Sequence, residues 1–171
     1  MELASLVRDV PDFPVEGILF KDITTLIRNA DAFREVIDRM IEHYADTDVD
    51  LVVAVEARGY IVGAPLAYAL GAGFVPVRKP GKLPAKIVSE SYTLEYGTNS
   101  LEIHEDAIKP GQWVLVVDDL LATGGSARAT INLVERLGGK VVGVAFMIEL
   151  DFLHGRDKLE GYDVLSLIHF D

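Results

Sequence analysis

Residues 114–126 read Val-Leu-Val-Val-Asp-Asp-Leu-Leu-Ala-Thr-Gly-Gly-Ser, and this segment indicates both a fold class and a ligand site. The apolar run at 114–117 is typical of a strand buried in a parallel sheet. Asp118 and Asp119 follow where that strand is expected to end, and the small residues at 122–126 then form a loop. A buried strand that leads into a small-residue loop predicts an α/β fold with functional groups beyond the strand.

A helical pattern at 127–137 follows this loop and is closed by Gly138 and Gly139. The first N–H groups of a helix have no partner within it, and they form the positive end of the helix dipole. A loop of small residues in front of such a helix therefore predicts a phosphate site. The two carboxylates suit sugar hydroxyls or a hydrated Mg²⁺, so a ribose with a 5-phosphate fits. The alternative is that Asp118 and Asp119 only cap the helix.

The bulk composition indicates one globular domain, residues 1–171. Half of the residues are apolar and a quarter are charged, as in soluble proteins. No apolar run approaches the roughly 18 residues that a membrane span needs, so no membrane partner is expected. The N-terminus lacks the layout of a signal peptide, and the absence of cysteine excludes disulfide and thiolate chemistry. A cytoplasmic location is expected.

The charge distribution argues against a nucleic-acid partner, because the net charge is -11 and such proteins need a basic face. One segment, 78–89, departs from this background: it holds Arg78, Lys79, Lys82 and Lys86 and no acid. A local basic cluster on an acidic protein indicates a small anionic ligand. The alternative is a solvated loop whose cations cluster by chance.

Strand and helix patterns alternate along the chain, which predicts a mainly parallel sheet flanked by helices. Loops 56–59, 78–84 and 118–126 each follow a strand, so they are expected to converge at the carboxyl edge of the sheet. The other expected elements are helices at 31–45 and 60–70, strands at 51–55, 74–77, 141–148 and 164–168, and an antiparallel ribbon at 87–103, which contains Gly97-Thr98.

Motifs of other nucleotide-binding enzymes are missing. The sequence has no Gly-x-x-x-x-Gly-Lys-Ser/Thr and no Gly-x-Gly-x-x-Gly, so nucleotide hydrolysis and hydride transfer lose their usual support. The histidines lack metal-ligand spacing and are interpreted as surface or packing residues; they are His43, His104, His154 and His169.

The 114–126 segment resembles the phosphoribosyl pyrophosphate signature of the type I phosphoribosyltransferases. Four further segments narrow the resemblance to the adenine-specific members of that family, and they are 13–24, 56–63, 77–84 and 91–97. The resemblance extends in order from about residue 10 to residue 168. The segments at 77–84 and 91–97 discriminate among the bases, because the 114–126 signature is shared across the superfamily.

The resemblance implies the type I phosphoribosyltransferase fold: a mainly parallel, twisted sheet flanked by helices, an N-terminal hood at about 1–30 and an antiparallel flap ribbon at about 87–104. It implies the reaction of adenine with phosphoribosyl pyrophosphate to give AMP and pyrophosphate. It also implies Mg²⁺, held through substrate and water near Asp118 and Asp119 and not by an assigned direct ligand. A homodimer is expected.

Site residues follow from the same resemblance. Asp118 and Asp119 match the pair that binds the ribose hydroxyls, and the peptide between Glu56 and Ala57 lies where the family can adopt a cis bond. The expected 5-phosphate loop is Ala122, Thr123, Gly124, Gly125 and Ser126. The expected pyrophosphate residues are Arg58, Arg78, Lys79 and Lys82. The expected base-covering residues are Leu19, Phe20, Lys21 and Leu150.

Glu95 matches the glutamate that acts as acid or base toward the purine. An exposed glutamate titrates near pH 4.3, and flap closure would raise its pKa by removing water. From the residues alone, a solvent-facing strand residue without a role is the simpler interpretation, and the resemblance reverses that preference. The expected catalytic residues are therefore Glu95, Arg58, Asp118 and Asp119.

Three other functions remain open at this point. One is transfer to hypoxanthine, guanine or xanthine in place of adenine. A second is a regulator that senses phosphoribosyl pyrophosphate and controls RNA or DNA, for which no basic surface or added domain is visible. A third is a non-catalytic relative, which the candidate residues at every site argue against.

Overall fold

The computed structural model describes residues 1–94 and 96–171. Nine strands are present in this part of the chain: β1 (Arg8–Pro11), β2 (Leu19–Asp22), β3 (Leu51–Val55), β4 (Gly73–Val77), β5 (Ile87–Leu94), β6 (Gly97–His104), β7 (Trp113–Leu121), β8 (Lys140–Leu150) and β9 (Val164–Phe170). The α-helices are α1 (Thr24–Ile27), α2 (Ala30–His43), α3 (Arg58–Leu70) and α4 (Gly125–Arg136). Short 3₁₀ segments lie at Leu3–Leu6, Asp151–Leu153 and Gly155–Leu159.

The central sheet is parallel, with the strand order β4-β3-β7-β8-β9. Helices cover both faces of this sheet. Successive side chains of a strand point to opposite sides, so each strand buries residues on both faces. Val52 and Leu115 pack with α2 and α3 on one face, whereas Val53 and Val116 pack with α4 on the other. The predicted α/β fold with flanking helices is therefore confirmed.

Strand β7, expected at 114–117, is longer than its apolar run predicts. β7 continues past Val117 to Leu121, so both aspartates lie within the strand and not after its end. The neighbouring strand β8 supplies the reason: it runs to Leu150, and Asp118 and Leu121 stand opposite Phe146 and Glu149. The helix α4 begins at Gly125, two residues before the expected start.

Two antiparallel pairs project from the central sheet. β1 and β2 form an N-terminal hairpin, and β5 and β6 form the ribbon that the alternation predicted. At the end of the ribbon, Thr93 pairs with Thr98 and Leu94 pairs with Gly97. Gly97 has φ +113 and begins β6, a conformation that glycine adopts without steric cost.

The helices of the described residues include none that is long and apolar enough to cross a bilayer. Helix α3 ends as its sequence predicts, since Gly71 takes the left-handed conformation with φ +68.

Candidate active site

The three loops predicted to converge do meet, at the carboxyl edge of the sheet. They surround a cavity of about 340 Å³. Its lining comprises Val55, Glu56, Ala57, Arg58, Lys79, Tyr92, Leu101, Asp118, Asp119 and Ser126. A second cavity, of about 260 Å³, shares Arg58, Tyr92 and the aspartate pair with the first cavity. Residues 120–124, from the end of β7 to the start of α4, also line this second cavity. The two cavities form one cleft with an acidic centre and cations on one side.

The aspartate pair lies between the two cavities. Asp119 is buried, and its Oδ2 accepts a hydrogen bond of 2.7 Å from Nε of Arg58. Asp118 is half-buried, and its Oδ1 accepts the Asp119 N–H at 2.8 Å. Loss of water raises the pKa of Asp118 well above its ordinary value, and the neighbouring charge of Asp119 raises it further. This carboxyl group therefore favours any ligand that brings positive charge or hydrogen-bond donors.

Gly59 allows the aspartates to sit this deeply. A Cβ added to Gly59 would lie 2.9 Å from Oδ1 of Asp118 and 3.4 Å from the carbonyl oxygen of Val117. The first turn of α3 can approach β7 only because this position carries no side chain. The sequence did not single out Gly59, although it directly follows Arg58 in the 56–59 loop.

The expected phosphate loop has the geometry of an anion cradle. Gly124 has φ +86 and precedes the first turn of α4, and a Cβ there would meet the carbonyl oxygen of Gly155 at 2.5 Å. Gly125 is equally crowded, since a Cβ there would lie 2.9 Å from Cδ2 of Tyr92. The loop therefore packs closely on Gly155 and Tyr92, and no side chain of the described residues caps the first turn of α4, whose N–H groups remain available for an anion.

The cations of the basic segment separate into different roles. Lys79 lines the cleft, whereas neither Arg78 nor Lys82 is among its described lining residues. The guanidinium of Arg78 binds Oε2 of Glu56 through Nε at 3.1 Å and Nη2 at 3.0 Å. Lys82 is exposed, and its carbonyl oxygen accepts from Nη1 of Arg78 at 3.4 Å. The structure therefore brings Arg58 and Lys79 to the cleft, and turns Arg78 toward Glu56.

Glu56 is a site residue that the sequence reasoning missed. Its Oε1 accepts the Lys79 N–H at 2.7 Å, and its Oε2 holds Arg78, so it connects the ends of β3 and β4. Burial alone would raise the pKa of Glu56, but the Lys79 N–H and the Arg78 guanidinium outweigh it and lower the pKa below its ordinary value. Its position directly after the buried strand was the signal available in the sequence. The Glu56–Ala57 peptide bond is cis, as the resemblance implied.

Tyr92 was also missed. It lines both cavities from the flap strand β5 and faces away from Ser91 and Thr93. Glu95, the expected acid or base, lies outside the described residues.

Of the expected base-covering residues, Phe20 lies nearest to a cleft residue. Phe20 lies on β2, where the guanidinium of Arg58 stands 5.4 Å from the centre of its ring and Phe13 contacts its edge with ring centres 5.0 Å apart. Leu19 is exposed and Leu150 is half-buried at the end of β8. The side chain of Lys21 turns elsewhere, to Asp9, so only its backbone is offered to a ligand on this side.

A second group of possible metal ligands lies at the ends of β8 and β9. Nδ1 of His169 is 2.9 Å from Asp151 and 3.7 Å from Glu149, which the sequence spacing of the histidines did not reveal. Arg156 donates two hydrogen bonds to the Glu149 carboxylate, at 3.1 and 2.6 Å. Because Arg156 already neutralises Glu149, we assign no metal to this group.

Comparison with known proteins gives consistent results. A model of the phosphoribosyl transferase domain matches residues 22–168. An adenine phosphoribosyltransferase of Thermotoga sp. (strain RQ2) is 63% identical over 168 residues, which cover 98% of this chain and 99% of that protein. A relative of the same name from Halothermothrix orenii is 57% identical, with the same coverage.

Two crystal structures extend the comparison to the fold. Adenine phosphoribosyltransferase from Thermoanaerobacter pseudethanolicus matches with a TM-score of 0.96 and 56% identity, covering 99% of this chain and 98% of that one. The enzyme from Saccharomyces cerevisiae, complexed with an imino-altritol bisphosphate and adenine, matches with a TM-score of 0.91 and 44% identity, covering 97% and 96%.

Proposed function

This chain belongs to the adenine phosphoribosyltransferase family, and we propose that it transfers the 5-phosphoribosyl group of phosphoribosyl pyrophosphate to adenine, giving AMP and pyrophosphate. The observation that carries this function is one cleft in which the aspartate pair lies between a phosphate loop and two cations. That order of groups matches the order of the substrate: 5-phosphate, ribose, pyrophosphate.

The chain's own residues position the sugar and its leaving group. Asp118 and Asp119 accept hydrogen bonds from the ribose hydroxyls and place negative charge near the anomeric carbon, where positive charge develops. Arg58 and Lys79 stabilise the charge that gathers on the departing pyrophosphate. The N-terminal N–H groups of α4 fix the 5-phosphate. Most of the rate enhancement therefore comes from positioning and electrostatics.

Mg²⁺ fits the donor set of the cleft. The two aspartates offer hard carboxylate oxygens, and burial together with the charge of Asp119 raises the pKa of Asp118, so a cation beside this pair would be favoured. Asp118 and Asp119 would hold the ion through its water molecules. When bound, Mg²⁺ would help to neutralise the pyrophosphate.

Selection of adenine rests on the hood and on Leu150. The backbone of residues 19–21 is available to read the purine edge, since the side chain of Lys21 points away, and Phe20 provides an aromatic face. The Saccharomyces cerevisiae relative, which is described as bound to adenine, supports this choice. Glu95 remains our prediction for the group that exchanges a proton with the purine.

The organisation of the protein is part of the proposal. We take residues 1–171 as one domain that carries a hood and a flap, working as a homodimer in the cytoplasm. Arg78 and Lys82 stay predictions as pyrophosphate residues, because flap or loop movement on substrate binding could bring them into the cleft. Sedimentation of the purified protein tests the dimer.

A pyrophosphate-release assay with adenine, hypoxanthine, guanine and xanthine, each with and without Mg²⁺, tests the function. We expect rapid release with adenine and Mg²⁺ and at most slow release otherwise. Preferred use of hypoxanthine, guanine or xanthine would show that the enzyme has a different base specificity. Binding of phosphoribosyl pyrophosphate without release from any of the four bases would contradict the proposal altogether.

A further inference from the structure

The last strand of the chain contacts the N-terminal hairpin beside the base-covering residues. Nζ of Lys21 lies 2.6 Å from Oδ1 of Asp9, its partner across the hairpin, and 4.0 Å from the centre of the Phe170 ring. The Lys21 side chain is only 11% exposed, whereas that of Asp9 is 53% exposed. A nearly buried ammonium thus has one carboxylate and one aromatic face as its partners.

Phe170 also lies beside Leu150, the expected base-covering residue on β8. It is the last residue of β9, and in the parallel register with β8 it stands beside Leu150. Leu150 is the one expected base-covering residue outside the hood. One aromatic residue near the C-terminus therefore contacts Lys21 of the hood and pairs with Leu150 of β8.

The hairpin needs such an anchor. β1 and β2 form a two-stranded sheet of their own, and isolated hairpins are marginally stable in water. A cation held over an aromatic ring stabilises most when it is removed from water, as Lys21 is. The contact with Phe170 therefore restricts where the backbone of β2 can lie.

The contacting residues lie outside the part of the chain that is common to the wider family. The phosphoribosyl transferase domain model matches residues 22–168, so Asp9, Lys21 and Phe170 all fall beyond its ends. The phosphate loop and the aspartate pair fall inside it. The three contacting residues are therefore separate from the sequence pattern that carries the sugar and phosphate groups.

We propose that Phe170 and Asp9 are positioning residues for the purine site. Acting through Lys21, they fix the distance between the β2 backbone with Phe20 on one side and Leu150 on the other. This inference rests on the proposed function, because it assumes that a purine binds between these walls. Among the side-chain contacts of the described residues, both have Lys21 as their partner, and neither involves Arg58 or the aspartate pair.

Steady-state kinetics of the full-length protein test the proposal. Phe170→Leu removes the aromatic face and keeps the apolar volume, and we expect KM for adenine to rise about 5-fold, equivalent to about 1 kcal/mol. Asp9→Asn removes a largely exposed charge and should raise it about 2-fold. The kcat value and KM for phosphoribosyl pyrophosphate should not change. Phe170→Tyr keeps the ring and should behave as the wild type.

A matched control and a double variant separate positioning from general damage. Trp113→Leu removes a 40% exposed aromatic residue at the opposite end of the sheet and should alter neither KM. Lys21→Met combined with Phe170→Leu should cost no more than the larger single change, because both remove the same contact.

Three results would overturn the proposal. They are an unchanged KM for adenine in both Phe170→Leu and Asp9→Asn, equal rises of both KM values, and full additivity of the double variant. Asp9→Asn changes only an exposed hairpin residue, so it keeps the test valid if Phe170→Leu unfolds. If the wild type prefers another purine, the proposed function fails while the same variants, assayed with that purine, still decide this inference.

Discussion

Arg58 and Asp119 form an ion pair that joins the two halves of the cleft, with Nε of the arginine 2.7 Å from Oδ2 of the aspartate. The side chain of Asp119 is 7% exposed, and that of Arg58 is 50% exposed. The cation assigned to pyrophosphate is therefore held by a carboxylate assigned to ribose. Binding in one half of the cleft must alter the charge seen by the other half.

Replacement of Arg58 should be costly to catalysis. Arg58→Gln removes a cation from the leaving-group side and leaves buried Asp119 without its positive partner. We expect kcat/KM for phosphoribosyl pyrophosphate to fall about 100-fold or more, as when other preorganised donors are removed. Pyrophosphate release measures it. Arg34→Gln, on the exposed surface of α2, is the matched control and should leave kcat/KM unchanged. A change below about 3-fold for Arg58→Gln, near the value of a surface pair, would contradict the role.

The aspartate pair can be tested in the same assay. The double variant Asp118→Asn with Asp119→Asn keeps the shape of both side chains and removes both charges. Turnover should fall steeply, because the sugar loses its acceptors and the developing positive charge loses its counter-charge. Circular dichroism should show an intact fold. Wild-type rates in this variant would remove the basis for the functional assignment.

Asp118 should also lower the stability of the free protein at neutral pH. Its folded pKa is raised, so the folded state holds the proton more tightly than the unfolded chain does. Folding stability is then lost as pH rises from about 4 through the folded pKa. Asp118→Asn should melt about 2–6 °C higher than the wild type at pH 8, with the difference shrinking toward pH 4.

Thermal unfolding across this pH range checks the Asp118 prediction. The substituted amide keeps an oxygen that can accept the Asp119 N–H, so the change isolates the charge. A variant that melts lower than the wild type at pH 8 would show that the charge stabilises the free cleft, contrary to this prediction.

A different carboxylate should govern the acid limit of stability. Asp22 accepts hydrogen bonds from the side chain and N–H of Thr24, at 2.7 and 2.9 Å, and from Arg8, and these contacts lower the pKa of Asp22 to about 2. A depressed folded pKa stabilises the protein above the ordinary pKa, and the effect disappears as pH falls from about 4 to about 2.

Asp22→Asn should therefore melt about 2–4 °C below the wild type at pH 6 and approach it near pH 2. Asp48→Asn, an exposed aspartate, is the control and should show no such pH dependence. A constant difference between Asp22→Asn and the wild type at every pH would mean that the charge of Asp22 is not responsible.

Much of the fold could be predicted because it depends on local sequence patterns. The strand expected at 51–55 is β3, and the helix expected at 60–70 lies within α3, since an unbroken apolar run and a glycine stop depend on nearby residues. The end of β7 could not be predicted in this way. Its extension depends on hydrogen bonds to β8, a partner whose length is set elsewhere in the chain.

The site was predictable as a set of loops but not as a set of contacts. Resemblance and topology correctly predict that Arg58 and Lys79 lie at the cleft. The direction of a long cationic side chain, however, depends on its tertiary partner. Arg78 turns to Glu56 and Lys21 turns to Phe170, more than a hundred residues away in the second case. Neither partner is marked in the sequence by its spacing from the cation.

Replacement by alanine should impair activity at Gly59, in α3, and stability at Gly71, which ends that helix. Gly59 has no positive φ, so alanine suits its helical backbone, but the new Cβ would lie 2.9 Å from Oδ1 of Asp118. The carboxylate has to move, and small displacements in a catalytic site are costly. We expect Gly59→Ala to lower kcat/KM about 10-fold or more with little change in melting temperature. Gly71 has φ +68 and open space around its Cβ position, far from the cleft. Gly71→Ala should therefore lower the melting temperature by about 2–4 °C and leave kcat/KM unchanged. Pyrophosphate release and thermal unfolding of both variants decide the matter: full activity in Gly59→Ala would show that the position of the Asp118 carboxylate does not limit the reaction.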